Sequence, residues 1–302
     1  MKAIVLTGYG DVEKLELREV DDPQPGPRQI KVRVAGASVN PIDWKIRRGE
    51  LRAMLPLQLP TILGRDVAGV VVAVGSDVRE FVVNDRVMGL VQHGYAELVT
   101  GPVEAFAKLP PEIETDQAAA IPLVGLTGSQ LVEEAVEVRQ GDRVLVTGAV
   151  GSVGRVAVFV AKQHGARVIA GVRESQRAAA EELEVDEIVA LDDPDDVRRL
   201  QQVDAIADTI DGKVLSSLLD KVRPGGVIGT VLSAPADAAE HGVRVHAILA
   251  HPDPQQLARL GDAVVRGDLV LPVDRRFPLS DASSAQHVAE AGGVGKILLV
   301  PT

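Results

Sequence analysis

The stretch Arg143-Val-Leu-Val-Thr-Gly148-Ala-Val-Gly151-Ser-Val-Gly154-Arg155 carries residue types at a spacing able to hold a phosphate group. An apolar run at 144–146 leads into glycines at 148, 151 and 154, and an apolar pattern at helical spacing follows through Ala161. Gly148, Ala149, Val150, Gly151, Ser152, Val153 and Gly154 therefore read as a strand-to-helix turn. Gly151 lets the backbone approach an anion, and Gly154 lets the helix pack close to the strand. The first N–H groups of a helix lack partners within it, and the dipole there is positive, so such a turn suits a dinucleotide pyrophosphate. A ligand-free βα turn is the competing reading; the strand before and the helix after favour the phosphate.

That turn sits in an alternation of apolar strands and helical segments rich in Ala, Glu, Gln and Arg. Strands are expected at 144–146, 168–172, 188–190, 205–208, 227–231 and 243–250. Over residues 118–253 this predicts a parallel sheet covered on both faces, an α/β Rossmann arrangement. Residues 1–117 have another texture: short β-type runs at 30–35, 67–74, 86–90 and 96–99, with a turn-rich connection at 21–27. They predict a β-rich, barrel-like domain with little helix. Residues 254–302 add a helical stretch, which starts near Asp253, and a closing strand at 296–300.

The 302 residues carry a net charge of −11 and no cysteine. An acidic chain without a basic stripe has no electrostatic footprint for nucleic acid or an anionic membrane. Without cysteine there is no disulfide, no thiolate nucleophile and no thiolate metal ligand. No apolar run approaches the roughly 20 residues that span a bilayer, and the first residues lack the apolar region of a signal peptide. A cytoplasmic protein is the expectation.

Further motifs join the glycine turn in one order along the chain: Met1-Lys-Ala-Ile-Val-Leu-Thr-Gly-Tyr-Gly10, Val39-Asn-Pro-Ile-Asp43 with Arg47 and Gly49, and Leu63-Gly-Arg-Asp-Val-Ala-Gly69 with Val74-Gly75. Then come Asn84-Asp-Arg-Val87, Gly94-Tyr-Ala-Glu97, Ala119-Ala-Ile-Pro-Leu-Val-Gly-Leu-Thr127, Asp208-Thr-Ile-Asp-Gly212, Arg223-Pro-Gly-Gly226 and Gly295-Lys-Ile-Leu-Leu299. Together they resemble the zinc-independent quinone oxidoreductase (zeta-crystallin-like) branch of the medium-chain dehydrogenase/reductase superfamily, over nearly the whole chain. The resemblance implies a GroES-like catalytic domain from 1–117 completed by 254–302, with the Rossmann domain at 118–253 between them and the cofactor in the intervening cleft. Where zinc-dependent relatives carry cysteines and a Gly-His-Glu motif, this chain reads Asn40, Gly64-Arg65-Asp66 and Gly128, so no metal is expected.

By family position, Asn40 is the first candidate for a polar group near nicotinamide and substrate, or else a turn residue before Pro41. Asp43 is expected to orient its loop or pair with an arginine. Thr127 is expected at the nicotinamide edge, or else as a helix-capping or buried hydroxyl. Lys45 replaces a tyrosine common in the family and reads as a substrate-site donor or, more simply, a solvated lysine. Tyr95 is either a substrate-site hydroxyl or a core aromatic, and His93 a loop histidine. At the end of the second Rossmann strand the family register puts Val172 where an NAD enzyme has its carboxylate. Arg173, Ser175 and Arg177 follow, a set suited to a 2′-phosphate, with Glu174 as a complication. Asp208, Thr209 and Ser233 are expected to face the cofactor.

Without a Lewis acid, hydride transfer favours an acceptor that is already electron-poor. The expected function is NADPH-dependent reduction of a quinone or an α,β-unsaturated carbonyl. The alternatives are an enoyl-thioester or 2-alkenal reductase and a non-catalytic NADPH-binding structural or sensor protein. An RNA-binding protein fits poorly with the charge. The apolar segment at 243–250 reads as an edge strand of the Rossmann sheet, through which a homodimer is expected.

Overall fold

The computed structural model describes residues 1–210, 212–231, 238–293 and 295–301. The chain divides into two units, 1–123 with 252–302, and 124–251. The first opens with strands β1 (Lys2–Leu6), β2 (Leu15–Glu19) and β3 (Gln29–Val39), then helix α1 (Pro41–Arg48). It continues through β4 (Thr61–Ile62), β5 (Asp66–Val74), β6 (Arg86–Leu90), β7 (Leu98–Pro102) and β8 (Phe106–Lys108). Helix α2 (Pro122–Gln130) carries the chain into the second unit and runs on into a π-helical turn, Leu131–Val136.

The second unit alternates β9 (Arg143–Thr147), α3 (Ser152–Gln163), β10 (Arg167–Val172), α4 (Arg177–Glu181), β11 (Glu187–Ala190), α5 (Pro194–Arg199), β12 (Val203–Asp208), α6 (Gly212–Ser216), β13 (Val222–Thr230) and β14 (Arg244–Ala247). The chain then returns to the first unit with α7 (Pro254–Arg266), β15 (Val273–Pro278), α8 (Ala282–Ala291) and β16 (Lys296–Val300).

In the first unit β3 is the central strand. Ile30, Val32 and Val34 point into the core while Arg33 faces water, the alternation expected of a half-buried strand. Its first half pairs antiparallel with β7, its last residues with β16, and most of its length with β5. The C-terminal segment is thereby built into the N-terminal sheet. The expected strand at 96–99 begins later, at Leu98: Ala96 forms an isolated bridge to Ala3, and its N–H turns back to Gly94.

In the second unit six strands lie parallel in the order β11-β10-β9-β12-β13-β14. Val144, Leu145 and Val146 are all fully buried, as befits a strand covered on both faces. The order reverses between β9 and β12, and ligands of such sheets bind beyond the strand ends at this switch point. Among the described residues no helix is long and apolar enough to cross a membrane.

Candidate functional site

The glycine turn lies at the carboxyl end of β9, beside the switch point. Gly148 has φ +64°, a left-handed conformation that favours glycine. A Cβ on it would meet the Thr209 hydroxyl and Ile210 at 2.6 Å. A Cβ on Gly154 would overlap the Gly148 carbonyl oxygen and sit 2.8 Å from the Ala149 Cα. Only glycine there lets α3 start so close to the strand. Gly151 is the N-cap of α3, exposed and without a capping side-chain bond. Ser152 and Val153 are half-buried on the first turn, Val150 is half-buried, and Ala149 is buried. The amides of that first turn are thus left for a ligand oxygen, and the turn fits a pyrophosphate.

Beneath this turn three strand ends are tied together. Asp208 accepts hydrogen bonds from the hydroxyls of Thr147 (2.7 Å) and Thr230 (2.8 Å). The Thr209 hydroxyl donates to the Thr147 carbonyl at 2.7 Å, and its N–H to the Thr147 hydroxyl at 3.0 Å. Asp208 is wholly buried, so it cross-links β9, β12 and β13 instead of facing outward. Thr147 and Thr230 escaped sequence reading because a single strand-end threonine looks like any β-branched strand residue. Ser233 lies outside the described residues.

Thr127 sits in the middle of α2, half-buried, and its hydroxyl has no hydrogen-bond partner among the described residues; it is not a helix cap. The next residue, Gly128, packs against α3, where a Cβ would come 2.6 Å from Val156. Val172 ends β10 and is buried. Arg173 and Ser175 follow as exposed residues, while Arg177 opens α4 with its guanidinium bonded to Glu174 and Asp196.

The first unit gathers a different constellation. Asn40, the N-cap of α1, is 1% exposed and its amide is fully engaged. Its Nδ2 donates to Asp66 Oδ2 at 2.8 Å and to the Ser38 hydroxyl at 3.1 Å, and its Oδ1 accepts from Lys296 Nζ at 2.6 Å. Turning the amide over would set its NH₂ against an ammonium and its oxygen against a carboxylate, so charge on both sides fixes its orientation. Asp66 also accepts from the Ser38 hydroxyl and the Leu123 N–H, each at 2.5 Å, and lies 4.0 Å from Lys296.

Asp43 closes α1 from below by accepting the Asn40 N–H at 2.8 Å, half of a capping box. Its other partner is the Tyr95 hydroxyl, which donates at 2.8 Å; of the two roles the sequence left open, orienting the loop or pairing with an arginine, these bonds match the first. Among the described residues its Oδ1 has no partner, nor has the Nε2 of Gln286. Tyr95 is a core aromatic with no exposure at all. Burial lifts the Asp43 carboxyl to about 7 against the pull of the Tyr95 and Asn40 bonds, and nearby Asp66 adds to the rise. Burial likewise raises Asp66, offset in part by Lys296, and lowers Lys296, offset by Asp66. The Tyr95 hydroxyl is held well above its ordinary range by burial and by Asp43.

Asn40, Asp43 and Tyr95 therefore meet in one buried cluster. Lys45 stays apart on the last turn of α1, half-buried. His93 takes a left-handed conformation with φ +65° and lines a surface hollow of about 430 Å³ with Val5, Val20, Pro60 and Ile62. Asp66 and Lys296 hold the cluster together and were not singled out from sequence. Both lie in motifs the sequence displayed, at 63–69 and 295–299, and each is a charged residue at the head of a strand that is otherwise apolar.

The alcohol dehydrogenase GroES-like domain family matches residues 26–111, and the zinc-binding dehydrogenase family matches residues 183–299. A quinone oxidoreductase of Pseudomonas aeruginosa is 30% identical over 99% of this chain and 99% of its own length. The structure of the quinone oxidoreductase from Coxiella burnetii superposes with a TM-score of 0.90 at 30% identity, covering 100% of this chain and 99% of that one. A solved NAD-dependent alcohol dehydrogenase superposes with a TM-score of 0.86 at 28% identity, covering both chains fully.

A protein zinc site needs three or four cysteine, histidine or carboxylate ligands. The chain has no cysteine, and among the described residues no group of three or more His, Asp or Glu is placed to hold a metal. Asn40 and Asp66, in the stretches that correspond to the metal ligands, are engaged by a lysine ammonium instead. These residues do not fit a zinc ion.

Proposed function

The chain belongs to the quinone oxidoreductase family of the medium-chain dehydrogenase/reductase superfamily, and from that premise we propose that it is a metal-free, NADPH-dependent reductase of quinones or α,β-unsaturated carbonyls. The observation that carries this reading is the Asn40–Asp66–Lys296 network standing where a metal-donor set would be. A site without a Lewis acid is poorly suited to stabilising the alkoxide of a simple alcohol. An enolate or a hydroquinone oxygen delocalises its charge and needs only hydrogen bonds and a proton.

Bound reduced nicotinamide would supply the hydride. The first turn of α3 would hold the pyrophosphate through its free amides, with Gly148 and Gly154 keeping strand and helix close. Val172 leaves the end of β10 without the carboxylate that a ribose 2′-hydroxyl prefers, and Arg173 and Ser175 stand next to it, which supports NADPH over NADH. Of the polar candidates, Thr127 keeps its hydroxyl free for a ligand, whereas the Asn40 amide is already saturated. Asn40 therefore acts by fixing the start of α1. As part of the same reading, two copies pair along the outer edge of β14.

The test follows the loss of reduced-nicotinamide absorbance with a naphthoquinone, a phenanthrenequinone, a 2-alkenal and an enoyl thioester, with NADPH and NADH in parallel. Turnover of one or more acceptors with NADPH ahead of NADH is the expected result. Tight cofactor binding without turnover of any acceptor would favour a non-catalytic role.

A further inference from the structure

A guanidinium taken out of water needs acceptors for its N–H groups, and this chain supplies them with one exception. Arg47, Arg86, Arg143, Arg155 and Arg177 are buried or half-buried, and each donates to a carbonyl or side-chain oxygen. Arg65 is half-buried too, yet among the described residues its guanidinium makes no hydrogen bond and no ion pair. Its Nε is buried without an acceptor, while its two terminal nitrogens remain reachable from solvent. Leaving a buried donor unmade lowers stability, so such a group calls for a use.

The backbone that carries Arg65 is held firmly. Its carbonyl accepts the Val91 N–H at 2.8 Å, the Gly64 carbonyl the Gly94 N–H at 3.0 Å, and the Leu63 carbonyl the Tyr95 N–H at 2.9 Å. Gly64 has φ +93°, and a Cβ on it would overlap the Tyr95 ring. One position on, both oxygens of Asp66 are taken, by the Leu123 N–H on one side and by Ser38 and Asn40 on the other. The carboxylate next to Arg65 in the chain therefore does not bond it. A guanidinium on a fixed backbone with free donors is preorganised for an oxygen that gains negative charge.

We propose that Arg65 is a catalytic residue: its guanidinium binds the carbonyl oxygen of the acceptor and stabilises the charge that oxygen gains. This rests on the reductase reading above. In an α,β-unsaturated carbonyl the β-carbon takes the hydride supplied by reduced nicotinamide, which is thereby oxidised. The C=C pair then moves into the bond next to the carbonyl, and the carbonyl π pair moves onto oxygen as an enolate. The α-carbon takes a proton from solvent and the carbonyl reforms, so hydride and proton together saturate the double bond. A quinone oxygen gains the same charge. Arg65 stays protonated throughout and acts by hydrogen bonding, not by giving up a proton. The stretch Gly64-Arg65-Asp66 is also where zinc-dependent relatives carry Gly-His-Glu, so a cation of the chain's own stands in the place of that histidine.

The experiment compares Arg65→Gln and Arg65→Lys with the wild-type chain, using a 2-alkenal and a naphthoquinone with the reduced nicotinamide that supports turnover. Arg65→Gln should lower kcat by roughly a hundredfold to a thousandfold, the usual effect of losing a donor to a developing oxyanion. Its nucleotide affinity and melting temperature should stay nearly unchanged. Arg65→Lys, which keeps the charge without the fork, should fall between the two. Added methylguanidinium should restore part of the turnover of Arg65→Gln and leave the wild-type chain unaffected. A second readout needs no turnover: 4-nitrophenol, whose phenolate imitates the charged oxygen, should be held as phenolate by the wild-type chain and not by Arg65→Gln. Identical spectra of the probe with both chains would overturn the assignment. Undiminished turnover in Arg65→Gln would overturn it and leave the reductase reading standing. A loss of nucleotide affinity that accounts for the lost turnover would give Arg65 to the nucleotide instead, which also overturns it. No turnover of any acceptor by the wild-type chain would defeat the reductase reading itself.

Discussion

At the scale of single residues, the buried cluster of the first unit holds two carboxyl groups and one cation. Lys296 serves Asp66, directly and through Asn40, which leaves Asp43 with two neutral donors and one unpartnered oxygen. Asp43 is therefore the group that keeps a proton toward neutrality, at about 7, against an ordinary carboxyl value of 3.8. Between those values the folded chain retains a proton that the unfolded chain gives up. Its contribution to stability is thus full in acid and is lost as the pH rises through about 7. Asp43→Asn keeps an oxygen for both donors and removes the titration. Melting temperatures taken between about pH 5 and pH 8 should fall further for the wild-type chain than for this variant. Parallel curves would show that Asp43 is not the titrating group. The Asp43–Asn40 cap is local, but Lys296 meets Asn40 across 256 positions and no local pattern reveals it.

At the scale of elements, the glycine turn was legible because its requirements are local: a left-handed residue, a close approach and a free helix start. The positions separate by what a methyl group would meet. On Gly151 it would approach only the Gly148 carbonyl, at 3.2 Å, and the φ of −71° suits alanine. On Gly154 it would collide with the backbone of Gly148 and Ala149. Gly154→Ala should push α3 from β9, lower stability by about 1–3 kcal/mol, and weaken nucleotide binding. Gly151→Ala should leave the melting temperature nearly unchanged while weakening binding at the exposed turn. Thermal unfolding and nucleotide titration of both variants check this; equal destabilisation would refute it. The strand at 96–99 was misplaced for a related reason. Ala96 serves a single bridge to Ala3 in β1, a partner that no local pattern reveals.

At the scale of the whole molecule, β14 ends the parallel sheet with β13 on one side only, and Leu249 just beyond it is 53% exposed. A parallel edge with unpaired backbone groups invites a second copy. Light scattering should give a dimer, and Leu249→Glu should shift it toward monomer; a monomeric wild-type chain would exclude the pairing. The sequence by itself determined the α/β class, the barrel-like and Rossmann textures, the glycine turn and the family, because periodicity, glycine placement and motif order are properties of neighbouring residues. Only the tertiary structure decided which polar groups remain available. Asn40 and Arg177 are named by any motif, yet one is saturated by Asp66 and Lys296 and the other is clamped by Glu174 and Asp196. Saturation depends on burial and on partners brought in from other elements, and a side chain's chemistry is set by what it already holds.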